Sequence, residues 1–251
     1  MSKKRTSVLG AAALVVLALT LVVAGNLWKQ SLKVRRVVVH GTVNVDPHQI
    51  IQLAEVEKGA PLYEVDLTRV QRNVQSHYFI RRATVERDLT SGITITVEER
   101  TPLTVVAGSD LFYLDETGIV LPSTISKAVY DLPVLSGLVV SAPLKPGSTI
   151  ETSEVQEALT ILTVLKTGNR ELFHRISEVR LRTGGDIILY SVDGGVPILF
   201  GHGKIADKLA RLEAFWSGEV AQRGARELQY VDLRYDGQVV ARWTTTPIRG
   251  S

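Results

Sequence analysis

The 251-residue chain contains no cysteine. That excludes a disulfide framework, a thiolate zinc site, thiol catalysis and a lipid anchor on cysteine. Asp and Glu are missing from the whole stretch before Asp46, and the only charges ahead of Lys29 are Lys3, Lys4 and Arg5. Those three account for the formal net charge of +3, because the rest of the chain carries 26 basic and 26 acidic side chains. A nucleic-acid domain needs a concentrated basic surface, and only Lys29 to Arg36 approaches one, so no nucleic-acid partner is expected.

Histidine is scarce as well. His40, His48, His77, His174 and His202 are scattered, with no His-Glu-x-x-His and no pair at helical metal-site spacing. There is no Gly-x-Ser-x-Gly elbow. Gly201-His202-Gly203-Lys204 lacks the outer glycine of a phosphate loop and the Ser or Thr after its lysine, so it reads as a strand-to-helix turn. Glu98 and Glu99 would point to opposite faces of a strand, and Asp115-Glu116 lies in a hydrophilic turn. No cofactor, metal ion or small-molecule substrate is expected, and the chain does not read as an enzyme.

What is present begins with an apolar run. Val8 to Trp28 carries no charged side chain, and its polar members are Thr20 and Asn26. At about 1.5 Å per residue such a helix spans the hydrocarbon of a bilayer. Val22-Val23-Ala24 could end a cleaved signal peptide, but the run is longer than a typical signal core. An uncleaved anchor is expected, with Trp28 at the headgroup level. Cations flank the run on both sides: Lys3, Lys4 and Arg5 before it, and Lys29, Lys33, Arg35 and Arg36 after it. Size decides the orientation, because a long folded part is exported largely regardless of charge. Residues 1–7 are expected in the cytoplasm and the globular part outside it.

Two modules follow. In the first, Val34 to Val39 reads as a strand ending at Gly41, and Asp46 as a helix cap with Pro47 at the first position and Gln49 three after the cap. Asp66 is a second cap, with Leu67, Val70 and Val74 at helical spacing. Arg81 to Arg87 and Ile93 to Val97 read as strands joined by a turn over Asp88 to Gly92; the second alternates Ile93, Ile95 and Val97 with polar residues. In the second module Ser153 reads as a cap, with Gln156 at the third position and Gly168 past the helix end. Strands are expected over Val179 to Arg182, Ile187 to Val192 and Val196 to Phe200, then a long amphipathic helix with Ile205, Leu209, Leu212 and Trp216 on one face.

The register from Val34 to Gly41, through Leu62-Tyr63-Glu64-Val65-Asp66, to Thr96-Val97-Glu98-Glu99-Arg100-Thr101-Pro102 resembles a POTRA domain. The Glu-Arg-x-Pro ending resembles the version in the bacterial FtsQ/DivIB family. Leu111 to Gly118, Leu132 to Gly137 and the closing Tyr230-Val231-Asp232-Leu233-Arg234-Tyr235, with Trp243 eight residues beyond Tyr235, resemble the same family in the same order. The family pattern has arginine near Gly201-His202-Gly203, so His202 puts in doubt any charge-dependent role there.

The resemblance implies an α+β fold: a single transmembrane helix (8–28), a β-α-α-β-β POTRA domain (29–103) and a mixed α/β domain (104–243). The last has a mostly antiparallel sheet ending in an exposed edge strand, and 244–251 form a tail. It implies a divisome scaffold of the cytoplasmic membrane, type II, at the septum. Its C-terminal hairpin would bind FtsB- and FtsL-type proteins by strand addition, its POTRA edge would meet another division protein, and the whole would restrain septal wall synthesis until assembly is complete. The partner-binding residues so implied are Arg234, Tyr235, Gly237, Val239, Val240, Ala241, Arg242 and Trp243. Two other classes compete. One is a POTRA component of protein export or outer-membrane assembly, which lacks room here for a barrel of many alternating strands. The other is a membrane-anchored enzyme, against which the missing motifs argue.

Overall fold

The structure, a computed structural model, describes residues 2–88, 92–107, 110–123, 130–139 and 143–244. They form two compact units, Met1–Glu99 and Arg100–Ser251.

The first unit opens with a continuous helix, α1 (Ser2–Ser31). From Leu14 to Trp28 its large apolar side chains are exposed, Trp28 at 63%, and none is buried among the described residues. The window Leu14–Ser31 is long and apolar enough to cross a membrane. The chain then joins the 59–62 loop directly: Leu62 N–H donates to Leu32 O (2.8 Å), Val34 N–H to Ala60 O (2.9 Å) and Gly59 N–H to Val34 O (2.8 Å). Those bonds occupy Val34, which is why β1 (Arg36–His40) starts later than the β-branched run suggests.

Helices α2 (Pro47–Ala54) and α3 (Leu67–Gln75) follow, then β2 (Ile80–Asp88) and β3 (Gly92–Glu99). Asp46 caps α2 by accepting from His48 N–H, with Pro47 at its start, and Asp66 caps α3 by accepting from Thr68 and Arg69 N–H. Both caps satisfy helix donors that have no partner of their own. The sheet order is β1-β3-β2, with β1 parallel and β2 antiparallel to β3. Ile93, Ile95 and Val97 are buried in it, as are Ile50, Ala54, Val70 and Val74 of the helices. Most of the expected turn over Asp88 to Gly92 lies outside the described residues.

The second unit contains β4 (Pro102–Ala107), β5 (Leu111–Asp115), β6 (Val120–Pro122), β7 (Val134–Ser136), α4 (Ser153–Gly168), α5 (Arg170–His174), β8 (Ile176–Leu181), β9 (Ile187–Ser191), β10 (Pro197–Gly201) and α6 (Ile205–Phe215). A π-helical turn (Trp216–Val220), α7 (Ala221–Arg223), β11 (Leu228–Asp232) and β12 (Val240–Trp243) complete it. The strands make one nine-stranded sheet, β12-β11-β10-β9-β8-β7-β4-β5-β6. The pairings β10–β11, β4–β7 and β7–β8 are parallel and the others antiparallel. One core joins it to the helices, from Val155, Leu159 and Leu162 to Leu209, Leu212, Trp216 and Val231.

Two helix ends differ from expectation. Thr152, not Ser153, precedes α4, and it makes no side-chain cap bond. The Gln156 amide instead donates to Ile150 O (2.8 Å), tying the helix to the incoming loop. Gly168 is the last helical residue, and Asn169 both closes α4 and caps α5 by accepting from Leu172 N–H. The expected long helix is interrupted as well. The π-turn after Phe215 allows Leu209, Leu212, Trp216 and Val220 all to be buried.

Asp115 is buried at 3% exposure, although the sequence places it in a hydrophilic turn. It accepts from Thr117 N–H (2.9 Å), Thr117 Oγ1 (2.7 Å), Ile119 N–H (3.0 Å) and Arg100 Nη1 (2.8 Å). Removing it strands a mostly buried guanidinium and three turn donors. Asp115→Ala should therefore cost about 3 kcal/mol, whereas the exposed cap Asp66→Ala should cost about 1 kcal/mol. Urea denaturation of both variants checks the ranking; equal losses would show that the Asp115 network is not what closes this turn.

Candidate functional site

The closing hairpin is the edge of the large sheet. β12 pairs antiparallel with β11, matching Val240 with Asp232, Ala241 with Val231, Arg242 with Tyr230 and Trp243 with Leu228. Strand alternation divides its side chains. Val239, Ala241 and Trp243 pack partly against the core, Val240 is half-buried on the other face, and Arg242 is exposed. The connecting loop carries Arg234, Tyr235 and Gly237, all exposed, with Tyr235 at 52%. Gly237 sits at φ +70°, where a side chain would be strained.

Four cations hold this hairpin. Arg211 on α6 donates from Nη1 to Tyr235 O (2.9 Å) and to Gln238 O, so one guanidinium bridges both ends of the loop. Its own charge is met by Asp207 one turn earlier (3.0 Å). Lys204 pairs with Asp236 (2.6 Å). Arg234 folds back on the buried Asp232 (2.7 Å) and reaches toward Asp186 (3.9 Å). Arg223 stacks over the Trp243 ring (4.1 Å to its centre), whose other neighbour is Phe215 (6.5 Å between centres). Trp243 is thus part core residue and part ledge, and Tyr235 is the large aromatic left exposed on the loop.

The electrostatics follow from these contacts. The Arg234 guanidinium beside Asp232 holds its carboxyl below the ordinary aspartate value, and the same bond raises Arg234. Lys204 does likewise to Asp236. Lys208 is buried and donates to Phe200 O (2.8 Å) and His202 O (2.5 Å); burial pushes its pKa down. The Gly201-His202-Gly203-Lys204 turn is a strand-to-helix turn as expected, with positive φ at Gly201, Gly203 and Lys204. His202 stands between Glu157 (3.3 Å) and Asp186 (3.6 Å), while Gly203 N–H donates to Glu157.

The opposite edge of the sheet is closed. Val120 N–H donates to Ser148 O and Gly147 N–H to Val120 O, both at 2.8 Å, and Ile119 bridges to Thr149. The loop before α4 thereby runs along the outer side of β6. No described residue does this for β12. Elsewhere a cavity of about 730 Å³ is lined by Trp216, Val220, Arg223 and Arg175 among others. Arg175 there is engaged by Glu171 and Asp193, both at 2.9 Å, so its guanidinium is already neutralised.

Sequence reasoning singles out the hairpin but not Lys204, Arg211, Asp186 or Arg223. Their one advance signal is the position of Arg211 and Lys204 on or beside an amphipathic helix; their partners come from the fold.

Comparison with known proteins agrees over most of the chain. Residues 32–100 match the family model of the POTRA domain, FtsQ-type, and residues 104–234 that of the cell division protein FtsQ/DivIB, C-terminal. A cell division protein FtsQ from Rhodothermus marinus is 32% identical over 228 residues, covering 88% of this chain and 81% of that protein. One from Salinibacter ruber is 31% identical over 267 residues and covers both chains fully. One from Streptomyces coelicolor is 30% identical, covering 77% of this chain and 75% of its own.

Two outcomes follow from the cation clamps. Because the folded pKa of Asp232 lies below its unfolded value, its contribution to stability is complete above the unfolded value and is lost as pH falls through the folded one. Arg234→Gln raises the folded value, so acid unfolding, followed by circular dichroism, should begin at higher pH than in the wild type. Arg211→Met should speed amide exchange across 235–239 while leaving the core strands β8 and β9 unchanged. Unaltered loop exchange would mean that Arg211 is not what fixes the hairpin.

Proposed function

The chain belongs to the FtsQ/DivIB family of cell division proteins, a non-enzymatic family, and on that premise we propose that it is a divisome scaffold anchored in the cytoplasmic membrane. In this reading residues 1–7 lie in the cytoplasm, 8–28 span the membrane, 29–103 form the POTRA domain, 104–243 form the C-terminal domain and 244–251 a tail, with everything after the span extracytoplasmic. The scaffold recruits an FtsB- and FtsL-type pair and, by holding it, restrains septal peptidoglycan synthesis until assembly is complete.

The observation that carries the reading is the open β12 edge on a sheet whose other end is sealed. Thr244 N–H bonds Glu227 O (2.6 Å) on the β11 side. Backbone groups alternate along a strand, so those of Val240 and Arg242 also face β11, and those of Ala241 and Trp243 face outward. A partner strand adds there by main-chain hydrogen bonds. Arg234, Tyr235 and Gly237 form the loop beside it, and Val239 to Trp243 the strand itself. Tyr235 and Trp243 are stiff aromatics of the kind that dominate interface energies. The POTRA sheet leaves β1 and β2 as its edges, and a second division protein meets one of them.

Tyr235→Ala combined with Trp243→Ala should weaken recovery of FtsB- and FtsL-type proteins from membranes by at least about thirtyfold, the effect of losing one strong anchor. Ala241→Pro tests the strand itself. Proline is tolerated where an edge N–H faces outward, so this variant should fold normally and still lose the partners. Unchanged recovery by either folded variant would remove the C-terminal edge as the site.

A further inference from the structure

The orientation proposed above leaves one sequence feature without a use. Lys29, Lys33, Arg35 and Arg36 follow the apolar run on the side where cations do not help to set topology. In the structure Lys29 and Lys33 meet the 57–64 loop, through Tyr63 and Pro61. The Tyr63 ring lies between the Lys29 ammonium (5.8 Å) and the Arg87 guanidinium (5.7 Å), and remains 44% exposed. Arg87 is fixed behind it by bonds to Leu62 O (3.0 Å) and Val65 O (2.6 Å). Lys33, Arg35 and Lys58 are exposed around the same stitched segment, and the exposed carboxylates on that loop are Glu57 and Glu64. Arg36 is engaged by Asp88 (2.6 Å) and Glu55 by Arg69 (2.9 Å). The free balance is positive.

We propose that this face, with Lys29, Lys33, Arg35 and Lys58 around Tyr63, docks on the anionic phospholipid headgroups of the outer leaflet. The inference rests on α1 being the membrane anchor and not on the β12 edge. Distance supports it. The chain is bonded into the 59–62 loop from Leu32 to Val34, immediately after the last helical residue, Ser31. Three residues reach roughly 10 Å at most, close to the Debye length of about 8 Å at physiological ionic strength. Lys29 and Lys33 are therefore held within about a Debye length of the leaflet. Trp28, 63% exposed at the end of the apolar run, and Tyr63 are residues suited to the interface. A membrane is also the partner that the anchor holds permanently in reach, at high effective concentration.

Each cation near an anionic surface shifts the docked equilibrium about fivefold. The full-length chain is reconstituted into nanodiscs of phosphatidylcholine alone or of equimolar phosphatidylglycerol and phosphatidylcholine, and amide exchange over 57–64 is compared with that of β3. Slower exchange of 57–64 in the phosphatidylglycerol discs is expected, with β3 unchanged. Lys58→Gln should reduce the docking equilibrium about fivefold, and Lys33→Gln with Arg35→Gln about twenty-fivefold. Equal exchange in the two lipids with the chain inserted would overturn this inference alone. Release of the chain from the discs by alkaline carbonate would overturn the anchor reading, and this one with it.

Discussion

The constraint on which the second unit depends is that every strand has two hydrogen-bonding sides, and a finite sheet must end somewhere. Here the two ends are treated differently. At β6 the backbone of Gly147 and Ser148 comes alongside and takes up the bonds of Val120. At β12 no described residue does so. The open strand is only Val240–Trp243, and it carries the exposed Arg242. Shortness and charge both discourage indiscriminate pairing between sheet edges. The edge can thus stay available to one added strand without becoming a general hazard.

An edge binds well only if little ordering remains to be done on association. The clamp around the loop supplies that order. Arg211 has a mostly buried side chain, 14% exposed, and its guanidinium is satisfied by Asp207 and two loop carbonyls. Arg234 is drawn down onto Asp232 while its side chain stays partly exposed. That pair fixes the start of the loop, and Tyr235 is the large aromatic side chain left exposed on it. Trp243 divides its surface between Phe215, Arg223 and whatever lies beyond the edge. It is neither fully buried nor fully exposed.

Much of this was legible in the sequence because it depends on neighbours a few residues apart. Asp46-Pro47 and Asp66 announce their helices through bonds to the next turn, and Ile93, Ile95 and Val97 announce a half-buried strand by their spacing. The hairpin from Tyr230 to Trp243 was legible through family resemblance. What could not be read depends on distant partners. Asp115 looks like an ordinary turn residue until Arg100 is brought beside it, and Lys208 looks like a surface lysine until two carbonyls enclose its ammonium group. Ser153 reads as a cap on local grounds, but it is the first helical residue, and the Gln156 amide donates to Ile150 O instead of closing a capping box. Strand β1 began late because Val34 had been taken by the 59–62 loop.

The Glu98-Glu99-Arg100-Thr101-Pro102 stretch shows why a family motif can be short and still specific. Glu99 accepts from Val43 (2.8 Å), Asn44 (3.0 Å) and Val45 (2.9 Å) N–H, closing the loop that leads into α2 of the first unit. The next residue, Arg100, completes the buried Asp115 network of the second unit. Pro102 then begins β4. A carboxylate serving three backbone donors and a guanidinium serving a buried carboxylate are each expensive to remove. Because these two are adjacent in sequence, an insertion between them would have to be absorbed as an unpaired loop, while a deletion would cost one unit its closing contact. The motif is therefore set by two local requirements that happen to meet at one peptide bond, and neither of them involves catalysis.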